Sequence, residues 1–311
     1  MSSWLNPWCI RRLVFFDALN ILSNKNSNSD LRLNLNAMAS IELRDVDFEK
    51  ISRFVYDLCG IHLHEGKKEL VKARLGKRLR EGNFKTFSEY YHYVTTQEGA
   101  DELIAMIDSL STNLTSFFRE SEHFKKLQEI MPGMVSISGK GRIPRLRIWC
   151  AGCSTGEEPY SIAMTLREMF SCSQVDIKIT ASDISTRVLN AAVMGIYPEE
   201  KVGNISSALL KKYFQVGQGD WKGHYRVKKE LKEIIDFTRF NLMETLRNNE
   251  AFDIIFCRNV MIYFDKTTQG NMVNKFYGYL KEGGYLFVGR SESLTGLHHQ
   301  FKYIEPSVYR K

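Results

Sequence analysis

One apolar run that leads into a glycine-containing turn constrains the fold of this chain more than any other feature. The segment Leu146–Ser161 reads LRIWCAGCSTGEEPYS, a strand pattern followed by Gly152, Gly156 and Pro159. Glycine permits a tight turn and close backbone approach, and proline suits the first turn of a helix. The segment therefore predicts the first strand-turn-helix unit of a nucleotide-type binding fold.

The acidic pair Glu157 and Glu158 at the start of this helix indicates the charge of the ligand. Phosphate-binding loops keep the helix N-terminus free of carboxylates, because the helix dipole and the free N–H groups bind the anion. The turn also lacks the Lys-Ser/Thr of a Walker loop and the Gly-x-Gly-x-x-Gly spacing of NAD-binding turns. A ligand with an adenosine and an α-ammonium group, S-adenosylmethionine, fits these features.

From Arg145 onward, strand patterns alternate with helix patterns. Strands are expected over Arg145–Cys150, Ile177–Ser182, Phe252–Cys257 and Gly284–Gly289, and helices over Pro159–Phe170, Ser185–Ala192 and Thr267–Leu280. Such alternation predicts an α/β domain with a doubly wound, Rossmann-like parallel sheet.

The remaining sequence divides by composition and spacing. A chain of 311 residues, 43% of them hydrophobic, is long enough for two cores. Residues 1–37 are rich in Asn and Ser and predict a poorly ordered tail, whereas apolar residues at helical spacing predict a small all-α domain over 38–110. The Gly- and aromatic-rich segment Tyr213–Val227 suggests a small antiparallel β insertion, about 205–236.

The formal net charge of +7 implies an acidic partner, which could be a nucleic acid, a membrane surface or an acidic protein. A dense basic run predicts either a solvated helix surface or a docking face: Lys67, Lys68, Lys72, Arg74, Lys77, Arg78 and Arg80. The six scattered cysteines favour a reducing compartment, with the cytosol as the default. Cys150 and Cys153 have no second Cys pair or His pair to complete a zinc site, so we expect no metal, and no apolar run is long enough for membrane insertion.

Polar residues that follow the strands are candidates for ligand binding, since ligands of doubly wound sheets lie at the carboxyl ends of the strands. Asp183 could accept hydrogen bonds from both ribose hydroxyls, or it could cap the next helix, a role that Ser185 could fill instead. Asn241 and Leu242 could offer an amide and an apolar face to adenine. Arg258 and Asn259 add polar groups beside the reaction centre.

Six ordered motifs carry a specific resemblance. They are Thr112–Glu120, Ala151–Ile162, Ala181–Ile184, Gly195–Pro198, Phe256–Asp265 and Gly289–Leu294. Together they resemble the chemotaxis-receptor glutamate methyltransferase family, the CheR type, from about Asp45 to the C-terminus. The resemblance implies a linker over 111–140 that enters the active site and an S-adenosylmethionine-dependent methyltransferase domain over 141–311. It implies cofactor contacts from Asn113, Thr115, Arg119, Glu158, Asp183, Asn241, Leu242, Arg258 and Asn259. It favours Glu158 over Glu157 for the methionine end, and we assign no role to Cys150 or Cys153.

The activity implied is methyl transfer from S-adenosyl-L-methionine to side-chain carboxylates of glutamates on chemoreceptor cytoplasmic helices, with S-adenosyl-L-homocysteine as product. The acidic receptor helices would be the substrate, a receptor C-terminal peptide is a candidate ligand of the β insertion, and the enzyme would be cytoplasmic and recruited to membrane receptor arrays. A glutamate with an ordinary pKa of about 4.3 is already a carboxylate at neutral pH and needs no general base. Arg119 and Tyr263 are therefore expected to act in catalysis by aligning the reactants.

Two other classes of function stay open at this point. One is methylation of another acidic protein or of a nucleic acid in a related signalling pathway. Base-amine methyltransferases usually carry Asn/Asp-Pro-Pro-aromatic, whereas Asn259 is followed by Val-Met-Ile-Tyr, so we expect no nucleic-acid partner. The other class is a regulatory protein that binds the cofactor without turnover, which intact Arg119, Glu158, Asp183 and Tyr263 disfavour.

Overall fold

The computed structural model describes residues 41–136, 143–246 and 250–311. All the helices and strands described below lie in one compact unit, Glu42–Lys311. The predicted tail, residues 1–37, lies outside the described residues. Within the described ranges, no helix is both long and apolar enough to cross a membrane.

The first part of the unit is helical. It contains α1 (Asp45–Cys59), α2 (Lys68–Glu81), α3 (Phe87–Val94) and α4 (Ala100–Leu110). Their apolar stripes face one another and bury Val55, Leu75 and Tyr90 almost completely. The chain leaves α1 through Gly60, whose φ of 75° is the left-handed conformation that glycine adopts at helix ends.

The second part alternates strands and helices. In chain order it contains α5 (Glu122–Ser136), β1 (Arg145–Ala151), α6 (Glu157–Met169), β2 (Asp176–Asp183), α7 (Thr186–Met194), β3 (Ile196–Pro198), α8 (Glu199–Val202), α9 (Ser207–Tyr213), β4 (Phe214–Val216), β5 (His224–Val227), α10 (Lys229–Lys232), β6 (Ile235–Arg239), β7 (Phe252–Cys257), α11 (Lys266–Tyr279), β8 (Leu280–Val288), β9 (Lys302–Glu305) and β10 (Val308–Arg310).

The main sheet has the strand order β6-β2-β1-β7-β8-β10-β9. The first five strands pair in parallel, whereas β10 pairs antiparallel with both β8 and β9. Strand β1 lies at the centre, and its alternate side chains enter two separate cores. Ile148 packs with residues of α5 and α6, whereas Trp149 packs with residues of α11. Both faces of the sheet are therefore covered, which confirms the predicted doubly wound α/β fold.

A second, antiparallel sheet has the order β3-β5-β4. Strands β4 and β5 lie within the predicted insertion, about 205–236, but β3 precedes that segment and residues 235 and 236 belong to β6 of the main sheet. The three residues of β3 are too few to show a strand period in sequence. Helix α6 also begins at Glu157, two residues before the expected start, because Gly156 and not Pro159 ends the turn.

Candidate active site

A pocket lies at the carboxyl ends of β1, β2, β6 and β7. Its volume is about 1040 Å³, including the solvent-filled space at its opening. This is the edge where a doubly wound sheet binds its ligand. All the site residues expected from sequence line this pocket: Asn113, Thr115, Arg119, Glu158, Asp183, Asn241, Leu242, Arg258, Asn259 and Tyr263. Segments far apart in the chain therefore converge on one cavity.

The glycine turn after β1 forms the floor of the pocket. Gly152 and Gly156 have φ angles of 87° and 95°, which L-residues rarely adopt. The backbone amide of Gly152 donates to the carbonyl oxygen of Ser182 at 2.8 Å, which ties the turn to the end of β2. A Cβ atom on Gly156 would lie 2.9 Å from the Cβ atom of Ala192, so glycine is also needed for close packing of the turn on α7.

Asp183 ends β2 and orients its carboxylate through two backbone amides. Ser154 donates to Oδ2 at 2.9 Å, and Ser185 donates to Oδ1 at 3.0 Å. The cap of α7 is Ser185, whose hydroxyl accepts from the backbone amide of Val188 at 3.3 Å, so the helix does not use Asp183 as its cap. Burial raises the pKa of Asp183 although both amides oppose the shift. Each oxygen retains capacity to accept a further hydrogen bond, as a ribose diol requires.

The two glutamates at the start of α6 point in different directions. Glu157 is fully buried and pairs with Lys201 at 3.2 Å, away from the pocket. Glu158 lines the pocket, and its Oε2 atom accepts from Arg258 at 2.6 Å. The thiol of Cys150 donates to Oε1 of Glu158 at 3.0 Å. The structure thus offers Glu158, and not Glu157, to a cationic group in the pocket.

Arg258 follows β7 and has a side chain that is only 1% exposed. It lies between two carboxylates, because Nη1 contacts Glu158 at 2.6 Å and Nη2 contacts Glu120 at 3.1 Å. Burial lowers the pKa of Arg258, but Glu158 and Glu120 outweigh this and keep the pKa above its usual value. For Glu120 burial acts in the opposite direction and raises the pKa. The positive charge of Arg258 and its hydrogen bond outweigh burial, so the pKa of Glu120 lies below its usual value.

The segment between α4 and α5 forms one wall of the pocket. The carbonyl oxygen of Asn113 accepts from the Ser154 hydroxyl at 3.1 Å, and the carbonyl oxygen of Thr115 accepts from Lys201 at 3.3 Å. Nη1 of Arg119 donates to the carbonyl oxygen of Leu114 at 2.9 Å. These contacts fold the segment over the glycine turn and hold Arg119 in the lining.

The wall after β6 is apolar, with Phe240 and Leu242 in the lining. The side-chain amide of Asn241 donates to the carbonyl oxygen of Leu58 at 2.7 Å, and its Oδ1 atom accepts from the Met243 amide at 3.0 Å. The Asn241 side chain that we expected beside adenine therefore also ties this wall to α1.

Tyr263 ends a short 3-10 turn, Met261–Tyr263, and its hydroxyl lies 3.4 Å from the carbonyl oxygen of Thr112. The buried carboxylate of Glu292 holds this turn, because its Oε1 atom accepts from the backbone amide of Ile262 at 3.3 Å. Its Oε2 atom accepts from the backbone amides of Asn259 at 2.8 Å and Gly289 at 2.6 Å. Asn259 has a φ angle of 59°, so this anchor also stabilises an uncommon backbone conformation.

Sequence reasoning missed three residues that the structure connects to the site. Glu120 forms an ion pair with Arg258, and Glu292 accepts a hydrogen bond from the backbone amide of Asn259. Cys150, to which we assigned no role, contacts Glu158. Glu120 directly follows Arg119, and Glu292 lies within the motif Gly289–Leu294. The position of both glutamates inside motifs of the family was the sequence feature that could have identified them as site residues.

Some side chains of the basic run make contacts within the helical part of the unit, and others are exposed. Nη1 of Arg74 donates to the carbonyl oxygen of Leu110 at 2.7 Å at the end of α4, and Arg78 pairs with Glu102, so part of the run is structural. Lys77 and Arg80 are exposed.

Across the described ranges, no cluster of three His, Cys, Asp or Glu side chains is arranged to hold a metal ion.

A doubly wound sheet with a glycine turn, a pocket-facing acid at the helix start and an aspartate at the end of the second strand fits the class of S-adenosylmethionine-dependent methyltransferases. The sequence matches the family described as CheR methyltransferase, SAM binding domain, over residues 113–310, and the one described as CheR methyltransferase, all-alpha domain, over residues 46–111. The chain belongs to the CheR methyltransferase family, which confirms the resemblance and the cofactor expected from the sequence.

Curated relatives carry a consistent name. A chemotaxis protein methyltransferase of Borreliella burgdorferi is 42% identical over 292 residues, covering 93% of this chain and 99% of the relative. One from Escherichia coli is 40% identical and covers 86% of this chain and 92% of its own length. A third, chemotaxis protein methyltransferase 2 of Pseudomonas aeruginosa, is 39% identical and covers 85% and 92%.

Proposed function

We propose that this protein methylates side-chain carboxylates of glutamates on the cytoplasmic helices of chemoreceptors and so forms glutamate methyl esters in chemotaxis. The relatives named above support the pathway, since the similarity extends over nearly their whole lengths. The observation that carries the proposal is the pocket itself. It unites the acids Glu158 and Asp183 with Arg119 and Tyr263, which come from separate segments of the chain.

The residues present fit S-adenosylmethionine. The carboxylate of Asp183 suits the ribose hydroxyls, Glu158 suits the methionine ammonium, and Phe240 with Leu242 offers an apolar wall for the adenine ring. When bound, the cofactor supplies an electrophilic methyl group on a sulfonium. The acceptor carboxylate is already ionised at neutral pH, so the protein needs no residue to remove a proton.

The catalytic task left to the protein is alignment. The transition state brings an anionic oxygen towards a cationic sulfur and cancels their charges, so a site that holds both in line and excludes water supplies most of the rate. We assign the acceptor end to Arg119 and Tyr263. The contact of the Tyr263 hydroxyl with the Thr112 carbonyl holds this phenol against the segment that carries Arg119.

The basic run of α2 is the proposed docking face for the acidic receptor helix. Lys67, which directly precedes α2 and begins the basic run, has its Nζ atom 5.7 Å from the centre of the Tyr263 ring, so the run begins next to the pocket. The exposed side chains of Lys77 and Arg80 continue it. An acidic helix lying along this face would bring its glutamates to the Tyr263 side of the pocket.

The small antiparallel sheet is the proposed anchor for a receptor C-terminal peptide, which would recruit the cytoplasmic enzyme to membrane receptor arrays. Strand β4 is an edge strand, and its residues Gln215 and Val216 are exposed. An extended peptide can add to such an edge as a further strand. We retain 111–140 as a linker between a helical domain, 38–110, and the methyltransferase domain, 141–311, as part of this proposal.

The experiment incubates the protein with methyl-labelled S-adenosylmethionine and receptor cytoplasmic fragments, then treats the labelled product with base. A carboxyl ester releases its label as methanol, whereas nitrogen- or carbon-linked methyl groups stay bound. We expect release from the wild-type reaction and none from receptor fragments in which the acceptor glutamates are alanine. Base-stable label would contradict the proposed acceptor.

A further inference from the structure

Two carboxylates share one buried arginine beside the pocket. Arg258 contacts Glu158 at 2.6 Å and Glu120 at 3.1 Å, and the two glutamate side chains are 13% and 12% exposed. The backbone amide of Arg290 also donates to Glu120, at 3.2 Å. Glu158 lines the pocket, whereas Glu120 contacts Arg258 from the side of the linker.

The charges of this cluster do not cancel. One guanidinium faces two carboxylates, so the three side chains carry a net charge of −1. If Glu120 were absent, Arg258 and Glu158 would form a neutral pair of good geometry in a poorly hydrated site. A ligand ammonium would then compete with Arg258 for the same carboxylate. Glu120 therefore maintains the negative charge that a cationic ligand group meets at Glu158.

We propose that Glu120 is a positioning residue that keeps Glu158 available to the cofactor's ammonium group by sharing the charge of Arg258. The inference rests on the role proposed above for Glu158. It gives Glu120 an effect on one end of the ligand, the amino acid end, and none on the adenosine end, which lies by Asp183.

The other basic side chains near this cluster do not neutralise Glu120. Burial, with the Arg258 charge, lowers the pKa of His123 to about 4, so this imidazole is neutral at pH 7. The guanidinium of Arg290 pairs with Glu122 at 3.1 Å at the surface. A second pocket guanidinium, Arg119, has its Nη1 atom on the carbonyl oxygen of Leu114.

The experiment compares two ligands by calorimetry. S-adenosylhomocysteine carries the ammonium group, whereas methylthioadenosine keeps the adenosine and the thioether but lacks the whole amino acid end. For Glu120→Gln we expect the Kd of S-adenosylhomocysteine to rise about tenfold, the size of one partly screened charge interaction. The Kd of methylthioadenosine should stay within about twofold, because this ligand makes no contact that depends on the Glu158 charge.

Matched variants separate the outcomes. Glu122→Gln removes an exposed carboxylate two residues along the same segment and should leave both affinities unchanged. Glu158→Gln should weaken S-adenosylhomocysteine and spare methylthioadenosine. If Glu120→Gln weakens both ligands equally, or neither, the inference is wrong. If Glu158→Gln spares S-adenosylhomocysteine, its premise fails as well. The methanol assay on the wild-type protein judges the acceptor independently of these binding results.

Discussion

The backbone amide of Ser154 donates a hydrogen bond to the Oδ2 atom of Asp183 at 2.9 Å. Ser154 belongs to the glycine turn after β1, and Asp183 is the last residue of β2, so this bond joins the ends of two neighbouring parallel strands. The bond fixes the direction of a carboxylate that lines the pocket. The floor of the pocket is therefore shaped before a ligand arrives, which reduces the ordering cost of binding.

We predict that Asp183→Asn raises the Kd for S-adenosylhomocysteine at least about tenfold. Each carboxylate oxygen accepts one backbone amide, so an asparagine would turn an NH2 group towards one of these donors and leave it unpaired. Calorimetry provides the measurement. Asp236→Asn, on the exposed side of β6, serves as the control and should bind normally. An unchanged Kd for Asp183→Asn would remove this residue from the cofactor site.

We predict that Tyr263→Phe lowers the single-turnover rate of methyl transfer about tenfold or more while the affinity for S-adenosylhomocysteine stays within about twofold. The phenol acts on the acceptor side, where loss of one aligning group affects the rate and not the ground-state binding of cofactor. Arg119→Ala should lower both quantities, because Arg119 also shapes the cofactor pocket. A change in affinity alone for Tyr263→Phe would assign it a packing role only. Tyr303→Phe, at an exposed tyrosine of β9, is the control.

We predict that Gly156→Ala destabilises the protein by roughly 2 kcal/mol or more. The φ angle of 95° is unfavourable for alanine, and the new Cβ atom would lie 2.9 Å from that of Ala192. Gly270→Ala is the matched control within α11, where an added Cβ atom would meet no described atom within 4 Å apart from its chain neighbours and the nearby backbone of its own helix. It should be neutral or stabilise by about 0.5–1 kcal/mol. Chemical unfolding of both variants measures the difference, and equal stabilities would contradict the assigned strain.

We predict that His123→Gln reduces the loss of stability on acidification. Burial, aided by Arg258, lowers the pKa of His123 from 6.5 to about 4 in the folded protein. As the pH falls below 6.5, the unfolded chain takes up this proton before the folded protein does, so the free energy of unfolding declines until about pH 4. Between pH 7 and 5 the wild type should lose about 2 kcal/mol more than the variant.

Denaturant unfolding at pH 7 and at pH 5 tests this prediction, because the comparison of two pH values removes the constant effect of the substitution. His298→Gln alters an exposed imidazole and should follow the wild type. A pH dependence of His123→Gln identical to that of the wild type would show that His123 does not cause the acid sensitivity.

The central strands could be predicted from the sequence because each of their faces is buried. From Ile148 to Ala151 strand β1 is apolar and buried at every position, as a strand covered on both sides requires. The C-terminal pair β9 and β10 was not predicted. Strand β9 has only four residues, of which Tyr303 and Ile304 are exposed large side chains, so burial leaves no alternating pattern in its sequence.

The residue types at the site could be predicted, but their pairings could not. The order of strands places Asp183 and Arg258 at one edge, and a family motif points to Arg119. Glu120 and Arg258 are separated by 138 residues, and their ion pair depends on how the linker folds back over the sheet. The residues alone also could not decide whether Glu157 or Glu158 faces the ligand. The direction of each side chain depends on its ion-pair partner, Lys201 for Glu157 and Arg258 for Glu158.

A crystal structure of the protein with S-adenosylhomocysteine tests the central claim most directly. The account predicts density in the crevice between Glu158 and Asp183, with the ribose hydroxyls within hydrogen-bonding distance of the Asp183 carboxylate and the amino group beside Glu158. Density for the ligand elsewhere on the molecule, or a reversed orientation with the adenosine at Glu158, would contradict it.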